Sequence, residues 1–258
     1  MNKIKVVFLG QKPYSTLILN SLKKDRQIEI LKIIEDRNSL DELKNLKDKP
    51  DVGILANFGI ILGKDILNIP RKGFLNIHPS LLPQYRGPSP VQTAILDNKK
   101  ETGVTIFKMD DEIDHGLIIA QSKEEIKIED TTDSLYGRLF KIGTETLTTI
   151  LPPYIKDEIN PREQNHNEAT FTEKLTKNDG KINWGKDNSY LERFIRAMSS
   201  WPGAWTEIKI DNQIKRLKIL KAHLEKNKLA IDQVQLEGKN SVSFKQFKEG
   251  YPKAEIIS

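Results

Sequence analysis

Short apolar runs separated by helix-spaced segments dominate the first part of the chain, and this alternation most restricts how it can fold. Ile4 to Leu9, Ile28 to Ile34 and Asp51 to Ala56 are nearly uninterrupted apolar stretches. Runs of that length with little polar alternation are strands buried on both faces, so helices must cover them. Tyr14 to Leu22 carries apolar residues at helical spacing after the break at Gly10, and Leu40 to Leu46 reads as a short amphipathic helix ahead of Pro50. The pattern specifies an α/β chain with a Rossmann-like, open and mainly parallel sheet. Leu75, Ile77 and Val104 to Met109 supply further strands. Thr132 is placed to cap a helix from Asp133 to about Ile150, which Pro152 and Pro153 are expected to stop.

The character of the chain then changes. Lys156 to Thr170 is polar, contains Pro161 and has no apolar periodicity, which reads as a linker. Beyond it, Leu191 to Met198 looks helical, while Ala204 to Ile210, Lys215 to Lys221 and Ala230 to Leu236 look like short strands. The expected organisation is a larger domain over 1–158, a linker over 159–184 and a small C-terminal β-rich module over 185–258. No internal repeat or low-complexity tract interrupts it.

A chain of 258 residues can bury a core without covalent staples. It has no cysteine, which removes disulfide frameworks, thiolate nucleophiles and cysteine-based zinc sites, and makes a cytoplasmic address the expectation. Met1 to Leu9 reads as a strand rather than a leader, and no apolar stretch reaches membrane-span length, so no membrane partner is expected. His166 and His223 lack metal-ligand spacing, and no metal is expected. The net charge is +5, and from Gly203 onward eleven basic residues face seven acids. That excess suits a polyanion such as RNA, and it equally suits a solvated lysine-rich surface.

Two familiar phosphate motifs fail on inspection. Gly10-Gln11-Lys12-Pro13-Tyr14-Ser15 lacks the later glycines of a dinucleotide fingerprint. Gly59 to Lys64 has too few residues between its glycines for a phosphate loop, and Asp65 stands where a hydroxyl should hold magnesium. Asn76 and His78 are more informative: two residues apart in an extended run, they project to one side, and Pro79 ends the ladder behind them. An amide and an imidazole at the carboxyl end of a parallel strand make a plausible pair for acyl chemistry, although a lone histidine there also serves as filling.

The neighbourhood adds Ser80-Leu81-Leu82-Pro83, Tyr85-Arg86-Gly87-Pro88, Thr102-Gly103-Val104-Thr105 and Ile113-Asp114-His115-Gly116. With Asn76-Ile77-His78, these stretches resemble the folate-dependent formyltransferase family in order and spacing. Asp179 to Trp184, Ile195-Arg196-Ala197 and Trp201-Pro202-Gly203-Ala204 are similar to the segment that links the domains of methionyl-tRNA formyltransferases and recurs in sugar N-formyltransferases. Gln235 to Asn240, followed by Ser243-Phe244 and Phe247, resembles the tail of the tRNA enzymes.

The resemblance implies the formyltransferase fold with an OB-like terminal module, and transfer of a formyl group from 10-formyltetrahydrofolate to the amine of initiator methionyl-tRNA. DNA is not an implied partner. Asn76, His78 and Asp114 are the implied catalytic residues, and Ser80, Leu81, Leu82 and Pro83 the implied folate-binding stretch. Formyl transfer needs donors for a developing oxyanion and an acceptor for the amine proton, roles that Asn76, a protonated His78 and Asp114 can fill. Two departures matter. Glu35 to Pro50 has no room for the basic insertion of the tRNA enzymes, and the terminal module is short, so a partial barrel or a few packed strands is expected. A nucleotide-linked amino sugar therefore stays open as acceptor, as does, in another class, a non-catalytic RNA-binding protein on the same fold.

Overall fold

The computed structural model describes residues 3–211 and 213–257; Met1 and Asn2, which the expected first strand included, Asn212 and Ser258 lie outside the described residues. The alternating runs become β1 (Ile4–Gly10), α1 (Ser15–Lys24), β2 (Ile28–Ile34), β3 (Val52–Ala56), α2 (Lys64–Leu67) and β4 (Phe74–His78). There follow α3 (Pro90–Leu96), β5 (Glu101–Lys108), β6 (Leu117–Glu125) and α4 (Thr132–Ile155). The strands form one sheet in the order β2-β1-β3-β4-β5-β6. Pairing is parallel from β2 through β4, and β5 and β6 join antiparallel. Every residue of β3 and β4 is buried, the physical reason their sequences lack alternation.

Tight packing of the central strands makes one position unusually sensitive. Gly53 lies opposite Phe74 in the β3–β4 register, and a Cβ built on it would come within 2.2 Å of the Phe74 ring. Gly53→Ala is therefore expected to cost about 1–3 kcal/mol, the usual range for overpacking a core. Thermal unfolding would read this as a lowered Tm; an unchanged Tm would show that the ring has room to shift.

Three local expectations are corrected. Pro152 and Pro153 do not stop α4, which continues to Ile155. Each removes one amide donor, but the carbonyls left behind belong to Thr148 and Thr149, which are exposed and can take water instead. Leu151 and Tyr154 are buried in that last turn, and Tyr154 Oη donates to Lys72 O at 2.8 Å. Burial, with Asp157 adding, pushes that phenol up to about 12, so it remains a donor. The helix expected over Leu40 to Leu46 is a 3₁₀ segment, Arg37–Asn45. Asp36 opens it by accepting from Asn38 N at 2.7 Å, a local bond that competes with α-helical pairing, and Leu43 anchors it in the core. The polar stretch 156–170 is not free chain: Arg162 pairs with Ile118, and Thr170 O accepts from Arg86 N.

The chain divides into two compact units, 1–90 with 101–125 and 136–173, and 91–100 with 126–135 and 174–258. The second contains α5 (Asn188–Ala197), β7 (Trp205–Ile210), β8 (Gln213–Glu225), β9 (Lys228–Leu236), β10 (Ser241–Ser243), α6 (Phe244–Gly250) and β11 (Glu255–Ile257). Its antiparallel sheet runs β10-β9-β8-β7-β11, and among the described residues no pairing joins β10 to β11. Leu191, Phe194 and Ile195 of α5 share a core with Leu217, Ile219 and Val234. Asp187 caps α5 by accepting from Tyr190 N at 2.8 Å. Among the described residues no helix is long and apolar enough to cross a membrane.

Candidate active site

Asn76 and His78 stand on one face at the carboxyl end of β4, opposite Phe107 and Thr105 of β5. Both are buried. His78 Nε2 lies 2.9 Å from Tyr85 O. A carbonyl only accepts, so Nε2 carries the proton, and any proton that His78 exchanges with a ligand passes through Nδ1. Nδ1 faces Asp114 Oδ2 at 3.5 Å. Asn76 Nδ2 points at Asp114 Oδ1 at 3.4 Å, which occupies one amide hydrogen and leaves the other.

Asp114 arrives from the loop between β5 and β6 with φ 47°, a left-handed conformation that aspartate tolerates better than most residues. Its Oδ2 accepts from Gly87 N at 2.7 Å. Gly87 has φ 108°, and a Cβ there would meet Thr172 O, so only glycine suits this approach. Tyr85 also sits at positive φ, 60°, a strained conformation for an aromatic residue that costs on the order of 1–3 kcal/mol. The strained turn serves the site, because the Tyr85 carbonyl is the group that fixes the His78 ring.

The three side chains border a cavity of 270 Å³ whose walls include Leu55, Phe58, Ile60, Leu62, Tyr136 and Phe140. Residues 57–63 belong to neither helix nor strand; Asn57 O accepts from Gln11 N and Gly63 O from Leu67 N, and the amides and carbonyls of 58–62 between them belong to no ladder. Burial raises the Tyr136 phenol well above its ordinary range and keeps it neutral. The cavity is thus an apolar slot with polar groups gathered at one rim, the usual construction of a small-molecule site.

Ser80, Leu81, Leu82 and Pro83 lie just beyond Pro79 and do not line this cavity. Their groups are engaged with the fold: Thr105 Oγ1 donates to Ser80 O at 2.6 Å and accepts from Leu82 N at 3.0 Å, and Gln121 Nε2 donates to Leu82 O at 2.8 Å. The Thr-Gly-Val-Thr strand therefore pins the Ser-Leu-Leu-Pro turn. Sequence reasoning missed Arg86, whose buried guanidinium donates to Gln164 Oε1 and to His166 Nδ1, both at 2.8 Å. Burial lowers the affinity of Arg86 for its proton, and Asp114, Asp110 and Glu112 act against that shift. Gln164 and the cavity wall at Phe58 to Leu62 were missed as well; an apolar Phe-Gly-Ile-Ile-Leu stretch directly after a buried strand was the available signal.

Matches to known proteins bear on this arrangement. The formyl transferase family profile matches residues 34–151, and the profile of the formyl transferase C-terminal domain matches 174–230. The methionyl-tRNA formyltransferase of Roseiflexus castenholzii is 36% identical over 238 residues, covering 79% of this chain and 75% of that protein. The chain belongs to the formyltransferase family. The methionyl-tRNA formyltransferase of Chloroflexus aurantiacus is 46% identical over 158 residues, 61% of this chain and 51% of the relative. Against relatives such as this one, the formyltransferase chain spans about half their length. Solved structures agree on the fold. The methionyl-tRNA formyltransferase from Clostridium thermocellum superposes with a TM-score of 0.73 at 21% identity, covering 90% of this chain and 98% of that one. HypX from Aquifex aeolicus in complex with tetrahydrofolic acid gives 0.77 at 18% identity, covering 96% and 47%.

Proposed function

We propose that this formyltransferase moves a formyl group from 10-formyltetrahydrofolate to the amino group of initiator methionyl-tRNA, in the cytoplasm. The observation that carries the reading is the convergence of Asn76, His78 and Asp114 at the rim of an apolar cavity. A reduced folate fits that cavity in chemistry: the apolar walls suit a flat heterocycle, and the loop backbone of 58–62, outside helix and strand, suits the donors and acceptors around its edge. The folate supplies a formyl group activated on nitrogen. The free amide hydrogen of Asn76 and a proton on His78 Nδ1 are the donors for the charge that develops on the formyl oxygen. Asp114, held by Gly87 N, balances the imidazolium, takes up the proton lost by the amine as its nitrogen bonds the formyl carbon, and returns it, directly or through water, to the folate nitrogen as the formyl–folate C–N bond breaks and tetrahydrofolate leaves.

The tRNA as acceptor is supported by the charge of the second unit. Exposed Arg216, Lys218 and Lys221 follow one another along β8, and Arg216 and Lys218 border a groove with Trp205 and Gln235. The short segment Arg37–Asn45 favours a second reading, a nucleotide-linked amino sugar. It carries no basic loop, and its Lys44 is tied to Asp41 and Asp65.

Formyl transfer from 10-formyltetrahydrofolate, run side by side on charged initiator tRNA and on nucleotide-linked amino sugars, separates the two. Turnover on the tRNA is the expected result, and turnover on a sugar alone would overturn it. Salt gives an independent prediction. With roughly six phosphate contacts, affinity for the tRNA should fall by about a thousandfold between 50 and 200 mM salt. A small sugar nucleotide would respond weakly, so a flat titration measured by fluorescence anisotropy would speak against tRNA.

A further inference from the structure

We propose that Gln164 and Arg86 are positioning residues for the Asn76, His78 and Asp114 site, and that residues 164–172 form the strap that holds it in register; the proposal rests on the formyl-transfer reading above. Gln164 is 5% exposed, and all of its amide groups are used. Its Oε1 accepts from Arg86 Nε at 3.2 Å and from an Arg86 terminal nitrogen at 2.8 Å. Its Nε2 donates to Asp114 O at 2.9 Å and to Gly116 O at 2.8 Å. The orientation is unambiguous, because arginine only donates and carbonyls only accept. One side chain thus fastens the backbone of the Asp114 loop to a buried cation.

The strap also braces the segment that orients both His78 and Asp114. Thr170 Oγ1 accepts from Tyr85 N at 2.8 Å, Thr170 O accepts from Arg86 N at 2.8 Å, and Thr172 N donates to Arg86 O at 2.7 Å. Held between them are the Tyr85 carbonyl, which fixes His78, and the Gly87 amide, which fixes Asp114. The other end of the loop is tied too: His115 Nδ1 meets Asp110 Oδ2 at 2.7 Å, and the His115 ring stacks on His166 at 4.0 Å between centroids. His166 Nδ1 accepts from Arg86, closing the connection.

Burying a cation beside neutral acceptors is costly, and so is keeping Asp114 and Tyr85 at positive φ. Such costs persist where the surroundings over-determine a geometry, and here the strap's bonds to Tyr85, Arg86 and the Asp114 loop flank the Tyr85 carbonyl and the Gly87 amide that hold His78 and Asp114. The polarity of Gln164, His166, Thr170 and Thr172, which looks like solvent-exposed linker in sequence, is therefore spent on internal bonds.

The test compares the full chain with Gln164→Met and Gln164→Glu. Methionine keeps the length and loses both functions of the amide. Glutamate keeps the acceptor for Arg86 and loses the donors to Asp114 O and Gly116 O. Both variants are expected to lose about a hundredfold in kcat, the scale of a misplacement near 1 Å, with KM for the folate donor unchanged. Hydrogen exchange should accelerate across 110–116 and not in the central strands. Wild-type kcat in Gln164→Glu would reduce Gln164 to a partner of Arg86. Unchanged exchange over 110–116 in both variants would overturn the strap outright, whether or not an acceptor has been identified. Wild-type protein inactive on every amine, with exchange still accelerated in the variants, would overturn the formyl-transfer reading and leave the strap standing.

Discussion

Asn76→Ala should reduce kcat by roughly a hundredfold to a thousandfold, the loss that follows removal of one oxyanion donor. The change removes an amide that spends one hydrogen on Asp114 at 3.4 Å and keeps the other for the cavity. Little else is lost, because Asn76 borders an open slot and the β4 ladder bonds to β3 and β5 are backbone bonds. The KM for the donor and the unfolding midpoint should therefore stay close to those of the parent protein. Single-turnover formyl transfer separates the chemical step from product release. A variant that kept its single-turnover rate would remove Asn76 from the catalytic assignment.

Asp114→Asn should fall further, by about 10²–10⁴ in kcat, the range attributed to a positioned acid or base. The carboxylate accepts from Gly87 N and faces both Asn76 Nδ2 and His78 Nδ1. An asparagine whose oxygen kept the Gly87 bond would turn its own NH2 toward the NH2 of Asn76, donor against donor. It would also be unable to take the amine proton. The loss should persist across the pH range in which the parent enzyme works, because an amide does not titrate there. Recovery of most of the rate at any pH in that range would place the proton acceptor elsewhere.

The strands β1 and β3 were legible because each is buried on both faces and bounded by Gly10 or Pro50, and the half-buried edge strand β2 because its apolar run ends in a polar turn. Asn76 and His78 were legible as a pair because strand geometry alone sends alternate residues to one side. Asp114 came into view only through the family resemblance, since nothing local in Ile113-Asp114-His115-Gly116 marks it as a partner for residues 38 and 36 positions earlier. The end of α4 misled because the proline rule concerns the helix interior. Here the carbonyls released were exposed, and buried Leu151 and Tyr154 held the turn.

Sequence by itself determined the elements whose cause is local: strand and helix periodicity, the direction of Asn76 and His78, the absence of thiol chemistry, and the basic excess along the terminal strands. Tertiary structure alone decided which polar residues serve the site. Gln164 lies 50 positions from Asp114, and the stretch around it has the composition of a solvated linker. It became part of the site because the Asp114 loop presents unpaired carbonyls and Arg86 presents buried donors, needs that exist only once the chain has folded. Periodicity records which face of an element meets the core. A hydrogen bond between distant segments leaves no periodic trace, so it can be read only where the two segments meet.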